Sequence, residues 1–201
     1  KRGCMIAVSA ISDIGDKILL SNGEEICYTK RKKKALREEL QKKQELMIAK
    51  ISKKKLPLTP EEYSKYYKIC DSLPFAFTDI EMVFNEEKKA VDWIFRYGNE
   101  ALATLEKLPL DKMIGNSFSS LFSNMDAKWL HVYERATLYG ETLEIMDYSP
   151  EIDTNLKIIC FPTFPGHCGC ILFNADQMKS ISEENHLVRL AAVALKSNPT
   201  I

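Results

Sequence analysis

Long hydrophobic runs are missing from this 201-residue chain. No stretch approaches the roughly 18 apolar residues that a membrane-spanning helix needs, so no such helix is expected. The opening KRGCMIAVSAISDIGDK is too short and too interrupted in its apolar part to read as a secretory signal. Also missing are a glycine-rich phosphate loop, a Gly-Gly-Asp-Glu-Phe-like cyclase signature, a nucleophile–base–acid trio and a paired-carboxylate motif. Asp79, Glu81, Asp147 and Glu151 read as scattered strand-end acids, and no enzyme activity is expected of them. The six cysteines, Cys4, Cys27, Cys70, Cys160, Cys168 and Cys170, are scattered in a chain too large to need a disulfide scaffold. Reduced thiols and a cytoplasmic location follow as expectations.

Net charge is also missing, with 28 Lys and Arg against 28 Asp and Glu. The balance conceals a split. Residues 30–55 hold 12 basic against 3 acidic side chains, a net of +9, whereas 1–29 carry −1 and 56–201 carry −8. A basic segment followed by an acidic domain suggests two jobs. Hydrophobic residues make up 45% of the chain, enough for a packed core, and the length suits one large domain or one domain plus a fragment.

Residues 4–11 are apolar and partly β-branched and read as a strand or a buried segment. Ile18-Leu19-Leu20 and Ile26-Cys27-Tyr28 flank Asn22-Gly23, a pair that supplies the positive φ angles of a tight hairpin turn. Residues 30–51 lack Pro and Gly and are predicted helical, with one narrow apolar stripe of Leu36, Leu40, Met47 and Ile51 interrupted by Lys43. Thr59-Pro60-Glu61-Glu62 is a helix start, and that helix is expected to end near Asp71. Strands at 75–84 and 91–97 follow, then short helical pieces over 99–122, a helix over 126–138, and strands at 141–148, 156–162 and 168–173. Antiparallel strands enclosing a helical insert make an α+β domain with one sheet face covered.

The stretch Val91-Asp-Trp-Ile-Phe-Arg-Tyr-Gly-Asn-Glu-Ala-Leu102, with Ile114-Gly-Asn-Ser-Phe118, Leu121-Phe122, Trp129-Leu-His-Val-Tyr133, Gly140 and Gly166-His-Cys-Gly-Cys170, resembles a PAS sensory domain over about residues 72–176. The likeness is to a subgroup attached to bacterial diguanylate cyclases and other regulators. It implies a five-stranded antiparallel sheet with helices on one face, here preceded by a β-hairpin and a connector helix. A second likeness covers residues 2–45, where Arg2 to Ile11, the Asn22-Gly23 hairpin and Tyr28 to Leu36 resemble the C-terminal half of a LytTR DNA-binding domain. Thr29, Lys30, Arg31, Lys32 and Lys34 stand at that family's basic, DNA-contacting segment, but Ala7 stands where the family usually carries a contacting Asn. The organisation expected is a partial LytTR-like segment and connector over 1–51, a linker and flanking helix over 52–71, the PAS domain over 72–176, and a C-terminal helix or tail over 177–201.

The PAS likeness implies a pocket between sheet and helices. Its candidate lining is Phe95, Tyr97, Asn99, Leu102, Phe118, Phe122, Trp129, Tyr133, Ala136, Ile158, Cys160 and Ile171, with Asn99 also expected to cap the next helix. The same residues also read as ordinary core. His131 lies off the Trp129/Tyr133 face, so haem is not expected, and the 114–122 stretch lacks the cysteine motif of flavin photosensors. His167-Cys168-Gly169-Cys170 has no second cysteine pair, so no metal is expected either. The basic run 29–37 can grip nucleic-acid phosphates or serve as a solvated face. The function read from all this is a signalling protein with a PAS sensor coupled to a DNA-binding segment. The alternative is a PAS interaction module without ligand, serving a cyclase or other output elsewhere. A homodimer is expected through the flanking helices, using the Leu36/Leu40/Met47/Ile51 stripe and a second face made by Tyr63, Tyr67 and Cys70.

Overall fold

The computed structural model describes residues 11–14, 17–20, 25–27, 30–54, 58–123 and 127–176. The expected strand at 4–10, the Asn22-Gly23 turn, Thr29 and the tail at 177–201 lie outside them. The chain divides into two compact units, Lys1–Lys50 and Ile51–Ile201.

In the first unit, β1 (Ile11–Ile14), β2 (Ile18–Leu20) and β3 (Glu25–Ile26) form an antiparallel meander, with Ile18 opposite Ile26 and Leu19 opposite Glu25. Helix α1 (Lys30–Lys54) follows. Its half-buried stripe runs Leu36, Leu40, Gln44 and Met47, beside buried Ile48, while Lys43 is exposed. The central stripe position therefore belongs to Gln44, four residues after Leu40 and three before Met47, a helical spacing that keeps it on the same face.

The second unit opens with α2 (Pro60–Tyr66). Its Thr59 cap forms a reciprocal box: the Glu62 amide donates to Thr59 Oγ1 at 3.3 Å, and the Thr59 amide donates to Glu62 Oε2 at 2.7 Å. The α-helix stops at Tyr66, short of the expected 71, and continues as a 3₁₀ turn over Lys68–Ser72. The sheet then begins with β4 (Ala76–Phe84) and β5 (Ala90–Gly98). Helices α3 (Glu100–Glu106), α4 (Leu110–Met113), α5 (Phe118–Leu121) and α6 (Ala127–Tyr139) intervene before β6 (Leu143–Ser149), β7 (Thr154–Pro162) and β8 (His167–Asn174). The five strands are antiparallel in the order β5-β4-β8-β7-β6. The expected α+β architecture is present, with α3 to α6 on one face, and it is consistent with a PAS-like fold.

The helix-covered face holds a core that includes Ile80, Trp93, Leu102, Met113, Trp129 and Tyr133. The opposite face is covered as well. Tyr63, Tyr67 and Cys70, from α2 and the 3₁₀ turn, pack with Phe77, Tyr97, Ile159, Phe161 and Ile171 in a second core. A sheet buried on both faces explains why Ile158-Ile159-Cys160-Phe161 and Cys170-Ile171-Leu172-Phe173 are continuously apolar instead of alternating. It also corrects one expectation. Tyr63, Tyr67 and Cys70 offer no face to a second copy, because they are already buried against their own sheet, at 4%, 0% and 1% exposure.

Candidate functional site

Asn99 organises the junction between the two cores. Its Oδ1 accepts from the Phe77 amide at 3.0 Å and from the Leu102 amide at 3.1 Å, capping α3 as expected. Its Nδ2 donates to the carbonyls of Cys70 and Phe75, both at 3.0 Å. One amide thus joins the 3₁₀ turn, β4 and α3, and its hydrogen-bonding capacity is filled by backbone. At the far end of α3, Lys107 closes the helix in the left-handed region at φ +55°, and its Nζ donates to the Ile152 carbonyl at 3.0 Å. That bond holds the end of α3 against the β6–β7 turn.

Between these attachments lies a cavity of about 30 Å³ beneath the helices. A water-sized sphere needs roughly 10–15 Å³, so the space takes two or three such groups. Of the twelve candidates, Phe95, Phe118, Trp129, Tyr133 and Ile158 line it. Leu102, Ala136 and Cys160 belong to the same core without lining the cavity, and Phe122 is half-buried, stacked on Phe118 at 4.7 Å. Tyr97 and Ile171 lie on the opposite face. For Tyr97 the cause is a bulge: Asp79 pairs with Tyr97 but Ile80 pairs with Phe95, so Arg96 is an extra residue and parity inverts beyond it. For Ile171 the cause is register, since it stands opposite Ile159 while Ile158 stands opposite Leu172. Asn99 is the clamp just described and lines nothing.

The wall also contains Trp93, Thr78, Ser149 and Glu106, which sequence reasoning passed over, and Glu151, which reads in the sequence only as a strand-end acid. Trp93 packs on Phe118 with centroids 4.3 Å apart and meets Tyr133 edge-on at 5.2 Å. The Ser149 hydroxyl donates to Glu151 Oε2 at 2.5 Å, while Glu151 Oε1 is buried with no hydrogen-bond partner among the described residues. Burial, and secondarily the charge of Glu151, push the Glu106 carboxyl up to about 7. Burial holds the Tyr133 hydroxyl well above the usual phenol range.

Across the sheet is a buried polar cluster centred on Asp79. Its Oδ2 accepts from the Tyr67 hydroxyl at 2.7 Å and from the Thr163 hydroxyl at 2.5 Å. Its Oδ1 accepts from His167 Nδ1 at 2.6 Å, and His167 Nε2 stands in hydrogen-bond contact with the Tyr63 hydroxyl at 3.3 Å. The hydroxyl–imidazole–carboxylate order is that of an activated nucleophile, but the chemistry opposes that role. Burial first, and the Asp79 charge second, raise the Tyr63 hydroxyl far above its ordinary value, and so hold it protonated. The cluster ties α2 to β4 and β8.

Strand alternation separates His167 from the thiols. His167 turns toward α2, whereas Cys168 and Cys170 turn into the helix-covered core with their sulfurs 3.8 Å apart, so the three do not converge on one ion. Burial raises both thiols. His131 is exposed, away from the Trp129/Tyr133 face. Lys30, Arg31 and Lys32 fall in the first turns of α1, and Lys34 is exposed, 3.8 Å from Glu38. No described helix is long and apolar enough to cross a membrane. Compared with models of known families and with curated proteins, the sequence finds no match.

Proposed function

We propose that the chain is a non-catalytic signal-transduction module: a PAS-type sensor of a small molecule, joined by a connector helix to a LytTR-like segment that engages DNA. The observation that carries this reading is the cavity, which combines aromatic walls with Glu106, Glu151 and Ser149. A few polar groups converging in an apolar concavity make the default ligand site of a fold. The DNA side rests on α1. Its first turn carries no acid and begins Lys-Arg-Lys-Lys-Lys. Basic residues at a helix N-terminus oppose the macrodipole and cost stability, so they suit a partner that brings negative charge. The same helix supplies the Leu36/Leu40/Met47 stripe for a homodimer, in which the basic turns of two copies would act on one duplex.

Native mass spectrometry of the purified chain, reporting bound small molecules and oligomeric state together, tests the sensor. Duplex DNA titrated at two salt concentrations tests the output, and no binding even at low salt removes it. A second reading is favoured by the small cavity volume: a PAS interaction module with a filled core, serving a diguanylate cyclase or another output on a separate chain. A chain that emerges ligand-free and binds no added small molecule, yet dimerises, selects that reading.

A further inference from the structure

The charge inside the cavity is one-sided. Two acidic residues, Glu106 and Glu151, line it, and among the described residues no Lys, Arg or His does. A buried carboxylate oxygen left without a donor costs about 1–3 kcal/mol or more, and Glu151 Oε1 is such an oxygen among the described residues. The remaining wall is aromatic: Trp93, Phe118, Trp129 and Tyr133 all border the same space. Aromatic faces beside carboxylates are the chemistry that recognises an organic ammonium ion, through ring quadrupoles and charge-assisted N–H donors. An anion is excluded by the two acids. A nucleotide, haem or flavin is excluded by a volume of about 30 Å³.

We propose that this cavity is the binding site of a small organic cation, a protonated primary or secondary amine of two or three heavy atoms, held between the Glu106 and Glu151 carboxylates and the aromatic wall. The proposal rests on the sensor reading for its consequence, though not for its chemistry. Glu151 Oε1 accepts the ammonium N–H, Oε2 stays with Ser149, and Glu106 supplies the second charge. An amine that binds replaces a missing donor and compensates two acids at once, whereas a water satisfies the donor requirement alone.

Both tryptophans of the chain line the cavity, so intrinsic fluorescence reports occupancy directly. The full chain is titrated at pH 7.5 with methylammonium, ethylammonium and dimethylammonium chlorides. Sodium chloride at equal ionic strength and sodium acetate are the controls. Saturable fluorescence change and a rise in Tm with at least one amine, and with neither control, are expected. Glu151→Gln and Glu106→Gln are each expected to weaken that affinity about tenfold or more, the loss of one charge-assisted contact. Far-UV circular dichroism checks that each variant folds, and a decision needs only one of the two. No saturable binding by any amine, or equal affinity in the folded variants, overturns the site. Amine binding that leaves oligomeric state and DNA affinity unchanged keeps the site and removes the sensor reading.

Discussion

Asp79→Ala tests whether the buried cluster seals α2 onto the sheet. Asp79 is fully buried and accepts from three donors, on Tyr67, Thr163 and His167. Truncation leaves all three without an acceptor where water does not enter. A lost hydrogen bond to a charged group costs about 1.5–3 kcal/mol, but the donors share one acceptor and the losses overlap. With three buried donors left unsatisfied and their costs partly overlapping, the expected total is about 3–5 kcal/mol. Tyr67→Phe removes one donor and is expected to cost about 1.5–3 kcal/mol in the wild type. In the Asp79→Ala background the same change should cost under about 1 kcal/mol, because the hydroxyl no longer has its partner. Urea unfolding followed by far-UV circular dichroism gives all four corners of the cycle. If Asp79→Ala costs less than about 1 kcal/mol, or if the two changes are simply additive, Asp79 does not hold α2 and the account of this face is wrong.

Trp129→Ala, at a position with 3% exposure, is expected to cost about 3–5 kcal/mol in the same assay; under about 1 kcal/mol would place the ring on the surface. Gly169→Ala is expected to cost about 1–3 kcal/mol, because an added Cβ would lie 2.8 Å from Thr163 Cγ2 and 2.9 Å from Phe161 Cε2. Glu106 rises from an ordinary 4.5 to about 7, so the folded state binds its proton more tightly than the unfolded one. The resulting penalty is absent below about pH 4.5, grows as pH rises and is complete above about 7, worth about 3 kcal/mol by linkage and about 1–2 kcal/mol for this half-buried side chain. Glu106→Gln should remove that component, so parallel pH–stability curves for the two proteins would refute it. Leu40→Glu should convert any dimer built on the α1 stripe to monomer, read by light scattering.

Much of the architecture was legible because local signals and tertiary packing agree. The Thr59 capping box, the Asn99 cap, the strand positions and the helical insert all rest on interactions within a few residues. What stayed illegible is non-local. A single extra residue at Arg96 turns Tyr97 to the other face, and nothing in the alternation around it announces a bulge. Ile171 could not be assigned to a face, since continuous apolar runs suit a sheet covered on both sides. Glu151 read as a scattered strand-end acid and Glu106 drew no reading, because 44 intervening residues hide that both line one cavity. The Asp79 cluster was hidden in the same way, its members coming from α2, β4 and β8 and the loop before β8.

The Asn99 clamp makes α3 a strut. At one end the amide bonds the 3₁₀ turn that follows α2; seven residues later, about 10 Å along the axis, Glu106 meets the cavity. The helix is too short to bend, and both ends are fastened, one by Asn99 and the other by Lys107 on the Ile152 carbonyl. A displacement of Glu106 therefore cannot dissipate within α3. It must shift the Cys70 and Phe75 carbonyls and the Phe77 amide of β4 or break their hydrogen bonds, so changes at the cavity wall reach the cover on the far side of the sheet through a single side chain.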